Sequence, residues 1–533
     1  MTAREALDEA ALGWRLVRAL QPLLREPLDV PRARAIVRER LERRAADFLW
    51  IARQAIYDGP VAPYRELLAA AGCRYPDLER LVMREGVEGA LRTLLRHGVY
   101  LTVDEFKGRQ AVRRGSLTIP VSPEALRNPW SRFHLPSRTT GSRGAGTPVL
   151  VDLEFIRDRA VNTAVTMAAR GGLGWDHAFW GVPGGSAIVR VVEFGAFGAR
   201  PTRWFSQVPV RAPGLHPRYR WSARAIRWGS LLARAPIPAP EYVPFGDPAP
   251  ILRWLTETLA AGRVPHLHTF ASSVVQVCEA ARAAGADIRG AQFTLASEPT
   301  TAARLMAVRR VGASAQPCYA ITDFGIMGYG CLAPAAPDDV HLFQDLNAVI
   351  QPDAVLPGLP AGSLLVSSLR RAAPFVLLNV SAGDRASAER RQCACPLAAA
   401  GWTEHLHSIR SFEKLTAGGM TFLDTDLVRV LEEILPSRFG GGPTDYQLVE
   451  EESPSGGPAL RLLVHPRVGP VDAAAVETTF LDSIGSGSGA EKIMQLAWRE
   501  ARLLRVDRQP PLVTALGKIL HLHRGPGTSG PPV

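Results

Sequence analysis

Apolar residues recur at helical spacing through the first hundred positions. In ALGWRLVRALQPLL and ERLERRAADFLWIARQAI they fall three and four apart, with Arg and Glu on the other faces, the pattern of amphipathic helices. Asp77 is placed to cap a helix over LERLVMREGVEGALRTLLRHG, and Gly98 ends it. Residues 1–115 thus read as a helical segment without catalytic features. The character changes in SRFHLPSRTTGSRGAGTPVLVDLEFIRDRAVNTAVTMAAR, which is a Gly/Ser/Thr loop, a short apolar run and a helix. From about 175 to 410, short apolar runs alternate with helical ones. SAIVRVVEF, AQFTLAS, AQPCYAIT, SLLVSSL and PFVLLNV predict strands; PAPILRWLTETLAAG and SSVVQVCEAARAAG predict helices. Such alternation indicates an α/β architecture. RAPIPAPEYVPFGDPAPI, rich in Pro, predicts a surface connection. After about residue 412 a smaller α+β unit follows: LVRVLEEIL as helix, DYQLVEEE and ALRLLVHP as paired strands, GAEKIMQLAWREARLL as helix. Residues 525–533, GPGTSGPPV, predict a disordered tail.

Composition narrows the class. A chain of 533 residues, 46% hydrophobic and 21% charged, is long and apolar enough for a globular protein of two or more domains. No apolar run of about 18 residues predicts a membrane span. The start, MTAREALDEA, lacks the basic and apolar regions of a secretory signal, so a cytoplasmic location is expected. The net charge of +11 suits anionic partners such as nucleotides, coenzyme A, an acidic carrier protein or nucleic acid. The excess is spread without a Lys/Arg block, which argues against a nucleic-acid-binding arm. The six cysteines, Cys73, Cys278, Cys318, Cys331, Cys393 and Cys395, are too few and irregular for a disulfide framework. Cys393 and Cys395 form a C-x-C pair with His405 and His407 close behind. No second Cys pair completes a standard zinc pattern, so a turn with free thiols is the plainer reading. Of 62 basic residues only Lys107, Lys414, Lys492 and Lys518 are lysine. A slim point charge kept in an Arg-rich background marks positions where a planar fork would not serve.

Four short motifs carry candidate chemistry. Ser137-Arg138-Thr139-Thr140-Gly141 offers hydroxyls and close backbone approach to phosphates; no G-K-[ST] follows, so it is not a Walker loop. Tyr319-Ala320-Ile321-Thr322-Asp323, at an apparent strand end, joins an aromatic face to a hydroxyl and a carboxylate suited to a phosphate and Mg2+. Gly383-Asp384 sets a carboxylate where it can accept two ribose hydroxyls. Leu516-Gly517-Lys518-Ile519 couples a rare lysine to a turn-forming glycine. Taken singly, an ordinary loop, an N-capped turn or a surface hairpin is the plainer reading of each.

In chain order, SRTTG, YAITD, AGD, IRSFEKLTAGG and ALGKI resemble the ordered motifs of the adenylate-forming enzymes: S-S-G-T-T-G, Y-G-x-T-E, T-G-D, an Arg before a hinge, and a late G-K. Ala296-Ser297-Glu298-Pro299 resembles the G-G-E-P segment of the phenylacetate–CoA ligase branch, as do HTFASSVVQVCEAARAAGADIRGAQFTL and the position of the C-x-C pair. The resemblance covers about residues 130 to 524. It implies an α/β fold with a large multi-subdomain body, residues 116–412, holding the ATP and acyl sites, and a small mobile α+β domain, residues 413–524. It implies that Ser137, Thr139, Thr140 and Gly141 hold ATP phosphates and that Tyr319 lies against adenine. Thr322 and Asp323 would serve the α-phosphate and Mg2+, Asp384 the ribose, and Arg410 ribose or phosphate. Lys518 would bridge the carboxylate and α-phosphate, Glu298 would line the adenine or acyl pocket, and Glu413 or Lys414 would be the hinge. Trp175, Phe194 and Phe197 are candidates for the acyl pocket.

Departures accompany the resemblance. Arg138 replaces a small loop residue, Ala320 a Gly and Asp323 a Glu; Asn379, Ser381 and Ala382 stand where Arg, Arg and Thr are usual. The implied activity is ATP-dependent activation of a small carboxylic acid as an acyl-adenylate, then transfer to a thiol, coenzyme A foremost. A carrier-protein phosphopantetheine, or acyl-protein synthesis, are alternatives for the acceptor. A catalytically diverged nucleotide-binding protein is the reading of another class.

Overall fold

The computed structural model describes residues 3–131, 135–138, 148–181, 185–199, 201–209, 218–412, 416–417, 420–421, 426–452, 458–484, 504–514 and 517–524. Among these, one twelve-stranded mixed sheet frames a large body. Its parallel half runs, in spatial order, Pro240–Tyr242, Pro201–Ser206, Asp176–Gly181, Pro265–Phe270, Gln292–Ala296 and Ser314–Ile321. Gly325–Gly330, Val340–Leu342, Glu404–Ser411, Val380–Arg390, Ser363–Ser368 and Asn347–Ile350 continue it antiparallel. The chain winds from Asp176–Gly181 outward to one edge, then returns to Pro265–Phe270 and winds the other way. The strand order therefore reverses between these two strands, and a crevice opens at their carboxyl ends.

Both faces of the parallel half are covered, as such sheets require. Side chains alternate across it: Ala178 and Trp180 pack with helices Ala249–Ala260 and Ala271–Ala284, while Phe179 joins the opposite core with Leu153–Ala169 and Gly185–Ala196. That opposite core also takes in the N-terminal helices, from Leu16 to Leu101. Asn379, fully buried with φ +50°, stitches them to the sheet: its amide donates to the carbonyls of Leu91 and Val99 at 2.8 and 3.1 Å. A position where the resemblance leads one to look for Arg is thus a structural clasp.

Three local expectations are corrected. SAIVRVVEF is not a strand but part of the helix Gly185–Ala196. Its β-branched residues suggested a strand, yet Arg190 and Glu193 stand at helical spacing and pair there at 3.1 Å; burial on every side overrides propensity. PFVLLNV is buried but irregular, and the strand begins only at Val380. Asp77 lies within the helix Tyr75–Arg96 rather than before it, and accepts from the N–H of Arg74, the N-cap, at 3.0 Å.

The small unit has its own core around Leu448, Leu462, Val476 and Phe480. Its sheet runs Leu504–Arg508, Pro458–Val464, Tyr446–Glu452, Leu522–Arg524. Asp426–Arg429 leads into a π-helical stretch, Val430–Ile434, and then Leu435–Phe439, over the predicted LVRVLEEIL helix. DYQLVEEE and ALRLLVHP pair antiparallel; GAEKIMQLAWREARLL lies outside the described residues apart from its last position. No helix among the described residues is long and apolar enough to cross a membrane.

Candidate active site

Two adjoining cavities open at the carboxyl ends of the parallel strands. The first, about 960 Å³ with its mouth included, lies between body and small unit and is lined by Glu298, Tyr319, Asp384 and Arg410, with Ile519 and His521 from the small unit. The second, about 830 Å³ with its mouth, sits at the strand-order reversal, where Gly181 and Phe270 end their strands. Ser297 and Ala320 line both. Ser297 holds φ +66°, a left-handed conformation that non-glycine residues keep only where surrounding structure fixes it, often at a functional site.

The first cavity is a hydrogen-bonded frame. Tyr319 donates its hydroxyl to Asp384 Oδ2 at 2.9 Å, tying two strands together across the floor. Burial, then the Asp384 charge, pushes the Tyr319 phenol well above its ordinary range, so it stays a donor. Asp384 pairs in register with Ser411, which sets Arg410 beside it on the neighbouring strand. Arg410 Nη1 donates to Asp338 Oδ2 at 2.9 Å, and Asp338 also accepts the N–H groups of Ser408 and Ile409, each at 2.8 Å. Glu298 is committed differently. It accepts from Ser272 N–H at 2.7 Å, Ser272 Oγ at 2.9 Å and Arg304 at 2.9 Å, so it walls the cleft as a satisfied carboxylate.

Arg304 continues a buried network that crosses to the small unit. It pairs with Glu432 at 2.8 Å; His521 Nε2 lies 2.5 Å from Glu432, and Thr301 donates to the same carboxylate. Arg304, Glu298 and Glu432 side chains are each 1% exposed.

The second cavity is walled by Phe155, Phe179, Trp180 and Phe270. At its side Glu193 accepts from Arg159 at 3.0 Å, Arg190 at 3.1 Å and Thr163, and Arg190 also reaches Cys318 Sγ at 3.2 Å. His268 is driven well below its ordinary pKa by burial and then by Arg190 and Arg159, so it is neutral at pH 7. Two guanidiniums against one carboxylate leave a surplus positive charge on this wall. Lys518 arrives from the small unit on a closed turn: Gly517 N–H donates to the Thr514 carbonyl at 2.8 Å and Thr514 N–H to the Lys518 carbonyl at 2.9 Å. Gly517 has φ +72°, and a Cβ there would fall 1.4 Å from Gln207 Oε1. The left-handed φ favours glycine at this seat. Lys518 Nζ sits 4.8 Å from the Phe270 ring centre.

Of the residues singled out in the sequence, Glu298, Tyr319, Asp384 and Arg410 meet in the first cavity and Thr322 lines the second. Lys518 packs over Phe270, which lines the second cavity, without lining that cavity itself. Asp323 lines neither; its Oδ2 takes the Lys107 ammonium at 2.5 Å, and it is 5% exposed. The ammonium already neutralises this carboxylate, so no step is assigned to Mg2+ there. Ser137 falls in the strand Leu135–Arg138, while Thr139, Thr140, Gly141, Glu413 and Lys414 lie outside the described residues. Phe194 and Phe197 are core residues against His177 and one another, and Trp175 carries the Arg170 guanidinium; none lines either cavity. Sequence reasoning missed Asp338 and the Arg304–Glu432–His521 network, which no local motif marks. Lys107 had a signal, its rarity, without a role.

No family model matches the chain, and no curated protein matches it. Among solved structures, it is similar to a 2-hydroxyisobutyryl-CoA ligase in complex with 2-HIB-AMP and CoA in the thioesterification state, at 14% identity, with 91% of this chain and 90% of that one covered and a TM-score of 0.43. It is similar to the anthranilate CoA ligase AuaEII in complex with anthranoyl-AMP at 13% identity, covering 73% and 66%, TM-score 0.41. A variant of E. coli MenE with bound OSB-AMS is similar at 12% identity, covering 77% and 70%, TM-score 0.38.

Proposed function

We propose that this protein activates a carboxylic acid with ATP, forming an acyl-adenylate in the paired cavities and passing the acyl group to a thiol, coenzyme A foremost. One observation carries the reading. A lysine on a turn of the small unit packs over Phe270, a wall residue of a strand-reversal cavity, next to a cleft framed by Tyr319, Asp384 and Arg410. The same residues follow one another along the chain in the order of the adenylate-forming motifs, which further supports it.

In the first half-reaction a carboxylate oxygen of the acid bonds to the α-phosphorus of ATP, and the bond from that phosphorus to the bridging oxygen breaks to release pyrophosphate. Nucleophile and electrophile are both anionic, so preorganised cations lower the barrier. Lys518 neutralises the meeting point. Arg410, held by Asp338, supplies a second fixed charge beside the nucleotide. Asp384 accepts the ribose hydroxyls, and Tyr319 presents its face to the base while its hydroxyl remains on Asp384. In the second half-reaction a thiol sulfur bonds to the acyl carbon, its proton passes to solvent, and AMP leaves with the electrons of the cleaved acyl–oxygen bond. The acyl group occupies the Phe155, Phe179 and Trp180 cavity. The surplus charge of Arg159 and Arg190 favours acids whose far end carries an acceptor or a second anion.

Commitment of Asp323 to Lys107 favours a second reading, a nucleotide-binding protein without turnover. Acid-dependent pyrophosphate–ATP exchange over a panel of aryl, short, hydroxy and dicarboxylic acids separates the two. Exchange with one acid class, abolished in Lys518→Ala while a supplied acyl-adenylate is still converted to thioester, upholds the proposal. ATP binding without exchange under any acid sinks it. Asp384→Ala is expected to weaken ATP binding strongly, and unchanged affinity would remove Asp384 from the ribose.

A further inference from the structure

Away from both cavities, the long hairpin that carries Asp384 and Arg410 at its open end is closed by residues 391–403 at the other. There the chain gathers four soft donors from distant positions. Cys331 follows the strand Gly325–Gly330, His341 lies in Val340–Leu342, and Cys393 and Cys395 lie in the closing connection. One donor atom from each lies within 4.8 Å of all the others. Cys331 and Cys395 are buried, His341 is fully buried, and Cys393 is half-buried.

Two of the spacings match those of a tetrahedral centre and are far too long for a disulfide. Cys331 Sγ and Cys393 Sγ are 3.8 Å apart, and Cys393 Sγ is 3.5 Å from His341 Nε2. Bonds of about 2.3 Å to sulfur and about 2.05 Å to nitrogen at the tetrahedral angle place two sulfurs about 3.8 Å apart and sulfur and nitrogen about 3.6 Å apart. A disulfide would require about 2.05 Å, and all six cysteines are free. The surroundings are arranged for ligation. His341 Nδ1 lies 2.7 Å from the Trp402 carbonyl, which can only accept. Nδ1 therefore carries the proton, and Nε2 turns a lone pair toward the sulfurs. Backbone N–H groups of Leu332 and Ala333 point at Cys395 Sγ and Cys331 Sγ, each at 3.4 Å, as suits thiolates. Arg391, ion-paired with Asp339, reaches within 3.9 Å of Cys331 Sγ, beside a centre that would carry one net negative charge with three thiolates and a dication. Of the histidines nearest the C-x-C pair in sequence, His405 pairs with Asp339 at 2.8 Å in a group that shares only Cys331 with these four donors, and His407 pairs with Ser408.

We propose that Cys331, His341, Cys393 and Cys395 form a tetrahedral site for a soft divalent cation of the zinc class. On binding, three thiols release their protons to solvent and four metal–ligand bonds form. Four protein ligands fill the coordination sphere, so the site is structural. It fastens the closed end of the hairpin to two neighbouring strands.

The test is metal content of the full-length protein, purified without chelator from zinc-supplemented cells. The expected result is about one zinc per chain, reduced at least about tenfold in Cys393→Ser and Cys395→Ser and retained in Cys73→Ser, whose thiol lies outside the cluster. Cobalt exchanged into the unaltered protein should give the intense ligand-field absorption of tetrahedral cobalt–thiolate coordination, a reading that does not depend on a variant folding. Absence of stoichiometric zinc or cobalt, with all the cysteines titrating as free thiols in denaturant, overturns the proposal; so does a disulfide among Cys331, Cys393 and Cys395. Neither measurement depends on turnover, so the metal site and the proposed activity stand or fall separately.

Discussion

Replacing Arg304 with Met should loosen the small unit from the body. Arg304 is 1% exposed and holds two carboxylates at once, Glu298 of the body at 2.9 Å and Glu432 of the small unit at 2.8 Å. Burial alone would push the Glu432 pKa up; Arg304, His521 and Thr301 outweigh it and hold the group ionised. Without the guanidinium, Glu432 keeps only His521 and Thr301, and Glu298 keeps the two Ser272 donors. Removing one partner of a buried ion pair typically costs about 3–5 kcal/mol. Because the small unit has its own core, undocking returns Glu432 and His521 to water and relieves that cost. The penalty therefore falls on docking, lowering its equilibrium constant by about two to four orders of magnitude. Hydrogen exchange resolves this segment by segment. Amides of Ile519–Leu522 and of the Thr301–Arg304 turn should exchange far faster in the variant, while those of Phe293 and Leu295 keep their protection. Arg304→Met/Glu432→Leu, which removes a buried charge together with its partner, should recover part of the loss. Unchanged exchange at the interface, or uniform loss across the sheet, would refute the reasoning.

Three further outcomes are expected. Gly517→Ala meets both a left-handed φ and the Gln207 side chain, so about 1–3 kcal/mol of local strain should displace the Lys518 turn; pyrophosphate exchange should fall at least about tenfold with little change in melting temperature, and a variant of full activity would contradict the seating. Asn379→Ala removes the donor to the Val99 carbonyl and the second donor to that of Leu91, which keeps its helical partner, and should lower stability by about 1–3 kcal/mol in denaturant titration; an unchanged midpoint would show that the helices do not depend on this clasp. Burial depresses the His177 pKa from 6.5 to about 4, and those of His266 and His268 move the same way. Above pH 6.5 these imidazoles are neutral whether folded or not; below it the unfolded chain takes up protons that the folded one refuses. Stability should therefore fall as pH drops from 6.5 toward 4, by about 3 kcal/mol from His177 alone, and a melting temperature flat across that range would count against the buried neutral state.

Periodicity by itself determined much of the framework. The helices around Leu16–Leu24 and Leu78–Leu95, the strands Gln292–Ala296, Ser314–Ile321 and Ser363–Ser368, and the change to a small α+β unit were all legible, because an amphipathic period and turn residues act locally. Motif order likewise marked Tyr319, Asp384, Arg410 and Lys518 before any contact was known. What the pattern misread, SAIVRVVEF, is a segment buried on every side, where apolarity no longer distinguishes period 2 from 3.6. Only the tertiary structure decided who pairs with whom. It gave Asp323 to Lys107 and Arg410 to Asp338, and linked the two units through Arg304. It also brought Cys331 and His341 beside a C-x-C pair that begins 62 and 52 residues further along. Contacts of that separation are set by sheet order and register, which the chain encodes only through its whole core and not in any one stretch of residues.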